Sequence, residues 1–180
     1  MRIDLTFFEN LPPANPVDIR ECILAREIYE MATTLAVEKH DIEGFERNYN
    51  IVKTYYDEFS EVLPESTKKY SIIGLHLMYL LSFNKISEYH TEIELIPFDK
   101  LDDVFIKVPV SLEQYFVEGS YSKIINSKQN IPLQAYQVFI DKFSDAIRYE
   151  TARSAERAYE SLSLRDLGQM LNISNQAELN

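Results

Sequence analysis

The chain has 180 residues, 46% hydrophobic and 26% charged, which excludes a disordered protein and suits one filled core or two small ones. Eighteen basic against 29 acidic side chains leave a formal charge of −11, spread over both halves, which disfavours a reader of phosphate backbones. One cysteine, Cys22, permits no intrachain disulfide and suits a reducing compartment, and four glycines are too few for a glycine-rich phosphate loop.

Residues 1–15 read as an irregular N-terminal segment. Asn15-Pro16, a cap residue and a proline at the first helical position, predicts a helix over 17–38. Its apolar residues Leu24, Ile28, Met31 and Leu35 are spaced four, three and four, which assigns them to the core side. Arg20, Glu27, Glu30 and Glu38 fall on the other side. The next helix opens at Asp41 and carries the stripe Ile42, Phe45, Tyr49, Val52, Tyr56 and Phe59, until Pro64 breaks the chain.

Residues 66–83 differ in kind, because Ile72 to Leu81 is apolar nearly all round and needs cover on more than one side. Asn84 is read as the cap of a helix carrying Ile86, Tyr89, Ile93 and Ile96. Val104 to Val110 has strand-like composition, yet Pro109 argues against a central strand, which leaves a short helix or an extended connector. Ser111 to Gln114 reads as a capping box opening a helix that Gly119 ends in a left-handed turn. Pro132 starts the last long helix, with Tyr136, Phe139, Phe143 and Ile147 on one face.

With no strand alternation before residue 160, the fold class is all-α, an array of antiparallel helix pairs. Similar openings recur at Asp41-Ile42 with Phe45, at Asn84-Lys85-Ile86 with Tyr89, and at Ser120-Tyr121 with Ile124. That recurrence points to degenerate helical repeats of the TPR-like kind over 16–160. Residues 161–180 change style. Ser163 caps Leu164, Leu167 and Leu171, and Ser174-Asn175 opens a second short helix, as in the front of an incomplete winged helix. Ser163, Leu164, Leu167, Leu171 and Ile173 are therefore the candidate partner-interface residues, and the four apolar ones are expected to lack part of their cover.

No chemistry-bearing pattern stands out. His40, His76 and His90 are scattered, and no zinc, calcium, kinase or nucleophile-elbow motif occurs, so catalytic, metal and cofactor-binding residues are none. Cys22 reads as a packed cysteine, His76 as a core residue, and Asp102-Asp103 as a solvated helix start. The longest apolar run, Ser71 to Phe83, is 13 residues, short of a bilayer span, and no secretory leader is expected. Protein–protein interaction is the default role.

Several strings carry a resemblance: FERNYNIVKTYYDEF (45–59), LPES (63–66), LHLMYLLSFNKISEYHTEIELIP (75–97), VSLEQYFVEGSYSKI (110–124) and FIDKFSDAIRYETARSAERAYESL (139–162). They resemble the family of the 26S proteasome non-ATPase regulatory subunit 8, a PCI-domain lid subunit of the regulatory particle, over about residues 20–172. The resemblance implies helical repeats leading into a winged helix, used for subunit packing in ubiquitin-dependent proteolysis. It implies no enzymatic activity and no cofactor. The implied partners are other lid and regulatory-particle subunits, with no nucleic acid, membrane or small-molecule substrate, in cytoplasm and nucleus. It also implies that the chain is cut short at both ends. The alternative is a free-standing helical-repeat adaptor that binds peptide segments of other proteins.

Overall fold

The computed structural model describes residues 19–120, 123, 124, 127 and 134–171, with Leu164 and Gln169 described by backbone alone. They form seven α-helices: α1 (Ile19–Glu38), α2 (Ile42–Asp57), α3 (Lys69–Ser82), α4 (Ile86–Glu94), α5 (Val104–Val117), α6 (Tyr136–Ala158) and α7 (Leu164–Leu171). A 3-10 turn, Phe98–Lys100, precedes α5. No strand occurs among the described residues, so the chain is all-α, as its patterning predicts. Two compact units divide it, Met1–His76 and Leu77–Asn180.

In the first unit α1 and α2 form an antiparallel hairpin. Asp41 caps α2 through a carboxylate that accepts the Gly44 N–H at 2.9 Å. The α2 stripe faces inward as its spacing requires: Phe45, Tyr49, Val52, Tyr56 and Phe59 are buried, and Ile42 is half-buried. Early α1 meets late α2, since Cys22 and Ala25 pack with Tyr55, Phe59 and Leu63.

The facing of α1 corrects the sequence reading. Leu24, Met31 and Leu35 are 49%, 54% and 48% exposed, while Cys22, Ala25, Thr33, Ala36 and Val37 are buried. The small side chains of Cys22 and Ala25 leave room for the Tyr55 and Phe59 rings between the two helices, which explains the inversion. Glu30, expected in solvent, is also buried. Its carboxylate accepts the Tyr56 hydroxyl at 2.8 Å and lies 3.8 Å from the Arg26 guanidinium, which itself donates to the Pro64 carbonyl at 2.7 Å. Buried charge survives here because each group has a partner.

Helix α3 is buried at Ile72 and throughout Gly74 to Ser82, which agrees with its all-round apolar sequence. In the second unit Tyr136, Phe139, Phe143 and Ile147 turn inward from α6, and the Phe116 and Phe143 rings meet at 5.6 Å. Helix α5 begins at Val104 and not at Ser111. Asp103 caps it by accepting the Phe105 N–H at 2.9 Å, so Val104–Val110 is neither strand nor connector, and Pro109 sits inside the helix. Pro109 has no N–H for the carbonyl four residues before it, Phe105. The Tyr136 hydroxyl donates to that carbonyl at 3.1 Å.

Three helix ends share one backbone device. His40, Asn84 and Gly119 have φ of 58°, 56° and 69°. In each case the next residue's N–H bonds the carbonyl five residues back: Asp41 to Ala36 at 2.9 Å, Lys85 to Leu80 at 2.9 Å, and Ser120 to Tyr115 at 2.8 Å. The left-handed residue itself bonds three back, to Val37, Leu81 and Phe116. This is the Schellman arrangement. The fully buried Phe45, Tyr89 and Ile124 each follow four residues after the corner closes. Asn84 therefore ends α3, and Lys85 stands at the cap of α4. Pro132 and Ser174-Asn175 lie outside the described residues.

Candidate interaction surfaces

The C-terminal candidates sit on and beside α7. Ser163 starts it as expected, its Oγ accepting the Asp166 N–H at 3.1 Å and donating to the Asp166 carboxylate at 2.6 Å. Leu167 is half-buried and Met170 is exposed. Leu171 is buried at 9% exposure, which corrects the expectation that it lacks cover. The last turn of so short a helix turns this leucine inward, and α7 packs against α6. The Leu164 side chain and Ile173 lie outside the described residues.

A longer apolar surface lies on α1. Leu24, Met31 and Leu35 are exposed, with Ile28 half-buried among them, along the side of α1 opposite its core contacts. Glu27 and Glu38, expected on the other side of the helix, instead border this stripe in solvent. Contiguous apolar surface of this kind marks an interaction site more often than a resting surface. The periodicity was visible in the sequence, but periodicity alone does not say which of two faces turns inward. The signal that decides it is the opposite set of small residues, Cys22, Ala25 and Ala36, facing a helix rich in tyrosine.

The second unit carries a groove of about 500 Å³ along α5, with Val104, Val108, Leu112 and Tyr115 on its wall. Lys107 and Lys123 also line it, and lie 3.6 Å from Asp102 and 3.8 Å from Glu118. The Lys123 ammonium also sits 5.2 Å from the Tyr115 ring centre. Placing the helix start at Ser111 hid this face, which needs the turn from Val104. Just before it, Phe98 is 90% exposed, beside an exposed Leu95.

The titratable groups are structural in placement. Cys22 is buried in the α1–α2 contact. His76 stacks on Tyr49 with ring centres 3.7 Å apart, and His90 lies at the surface, 3.7 Å from Glu113. Burial pushes Tyr55 up to about 12, and raises Tyr56 further with the help of the Glu30 carboxylate. Burial likewise raises Tyr89 and Tyr136, with smaller contributions from Glu113 and Asp103. Among the described residues no three of His, Cys, Asp and Glu stand together as a metal set, and no helix is long and apolar enough to cross a membrane.

Comparison with known proteins places these surfaces in a family. A family model described as the CSN8/PSMD8/EIF3K family matches residues 67–180. The 26S proteasome non-ATPase regulatory subunit 8 homolog A of Arabidopsis thaliana is 39% identical over 182 residues, covering 99% of this chain and 68% of its own length. The 26S proteasome non-ATPase regulatory subunit 8 of Caenorhabditis elegans is 35% identical over 90% of this chain and 64% of its own length. The 26S proteasome regulatory subunit RPN12 of Saccharomyces cerevisiae is 30% identical over 91% of this chain. The chain thus spans 68%, 64% and 62% of the lengths of these curated relatives.

Proposed function

Because the chain belongs to the CSN8/PSMD8/EIF3K family, we propose that it is a non-catalytic scaffold subunit of the proteasome regulatory-particle lid. The observation that carries this reading is the 39% identity that runs over 99% of the chain. An all-helical body with exposed apolar helix faces supports it, since such faces hold subunits and do no bond chemistry. Its partners are other lid and regulatory-particle subunits, and it acts where proteasomes act, in cytoplasm and nucleus. Within it, residues 16–160 serve as the helical-repeat domain and 161–180 as the start of a winged helix. The edge near Ser163 and Leu167, with Leu164 and Ile173 next to them in sequence, faces a neighbouring subunit, and Leu171 is buried.

The test is co-purification. A tagged full-length chain is expressed in cells, and its sedimentation is followed together with proteasome subunits by quantitative mass spectrometry. Stoichiometric recovery in the regulatory particle is expected. Recovery only as free chain overturns the reading.

A further inference from the structure

We propose that the outward face of α1 is a docking seam for one amphipathic helix of a partner protein, with lysine and arginine flanking that helix's apolar side chains. The proposal rests on the assembly reading above and names the chemistry of one contact within it. Leu24, Ile28, Met31 and Leu35 repeat at four, three and four along an unbroken helix of 20 residues, with Ile19 at its start. That spacing is a knobs-into-holes seam, which another helix fits along its length and a strand or loop does not. The 49%, 54% and 48% exposure of Leu24, Met31 and Leu35 leaves about half of each residue open to solvent along this seam.

Charge selects the occupant. The outward half of α1 carries Glu21, Glu27 and Glu38 against Arg20, and the whole chain carries −11. Both the rim and the long-range field favour a basic-flanked helix and repel a second acidic copy.

The experiment uses the full chain and two labelled synthetic helices with the same leucine seam, one flanked by lysines and one by glutamates. Fluorescence anisotropy is expected to show the lysine-flanked helix binding at least tenfold tighter. The Leu24→Ser/Met31→Ser double variant keeps every charge and changes two half-exposed positions, and circular dichroism checks that it stays folded. It is expected to weaken binding at least tenfold, and Leu35→Gln serves as a second variant. Equal binding of both helices, or undiminished binding to the double variant, overturns the proposal. So does a dimer of the chain in sedimentation that Met31→Ser abolishes. If the chain fails to enter proteasomes yet binds the lysine-flanked helix, the lid reading falls and the seam stands. If it enters proteasomes and binds neither helix, the seam alone falls.

Discussion

The Tyr136 hydroxyl donates to the Phe105 carbonyl at 3.1 Å, across 31 residues of sequence, and supplies the hydrogen bond that Pro109 cannot. One residue on α6 thereby repairs an internal defect of α5. The repair binds two helices of the second unit through a backbone group that an ordinary helix satisfies by itself.

Tyr136→Phe takes this partner from a part-buried carbonyl and is expected to cost about 1 kcal/mol in urea unfolding. In a Pro109→Ala background the helix supplies its own N–H, so the same substitution is expected to cost less by at least about 0.5 kcal/mol, read from a double-mutant cycle. Tyr89→Phe is the control. Its buried hydroxyl has no hydrogen-bond partner among the described residues, so its removal is expected to be neutral or slightly stabilising.

The Arg26–Glu30–Tyr56 group makes a second test. Arg26→Ala strands a carboxylate that is 1% exposed and is expected to destabilise the chain by about 3–5 kcal/mol. Replacing the pair together, Arg26→Met with Glu30→Leu, is expected to cost far less than Arg26→Ala alone. A double variant as unstable as the single one would show that the ion pair itself contributes, and not only the penalty of breaking it.

The corners respond to glycine in opposite directions. Gly119→Ala meets no atom within 4 Å, yet φ of +69° strains any side chain, so a loss of about 1 kcal/mol in thermal or urea unfolding is expected. His40→Gly relieves the same strain at φ 58° and is expected to be neutral or to gain up to about 1 kcal/mol. Equal losses at both positions would contradict the shared geometry.

Alkaline pH should unfold the chain through its tyrosines. Tyr55, Tyr56, Tyr89 and Tyr136 are all raised above the ordinary tyrosine value, Tyr55 to about 12. The unfolded chain loses its phenolic protons near pH ~10, before the folded one does. Their stabilisation is therefore complete below that pH and is lost as pH rises through the folded values, by up to about 1.4 kcal/mol per pH unit for each tyrosine. The melting temperature is expected to fall from pH ~10 upward, with late tyrosinate absorbance appearing together with loss of helix.

The helical class, the inward stripes of α2 and α6, the left-handed Gly119 and the Ser163 cap were all legible, because each depends on spacing or on one residue's backbone freedom. The facing of α1 was not. Its apolar residues occupy two sides, and the choice between them was made by the tyrosines of α2, a partner that local periodicity does not see. The start of α5 was hidden by Pro109, whose cost is offset by Tyr136 in a remote helix. The apolar surface on α1 was lost with the first error, and the groove on α5 with the second.

Cys22 is the single thiol of the sequence, and its side chain has no exposed surface. An alkylating reagent reaches it only when α1 lifts away from Tyr55 and Phe59. Residues 77–180 contain no cysteine, so the labelling rate reports the first unit and is silent about the second. When reclosing outpaces alkylation, that rate divided by the rate of a free thiol is the equilibrium constant for opening the hairpin. The chain thus carries, without any engineering, a chemical clock for local unfolding in one half of itself.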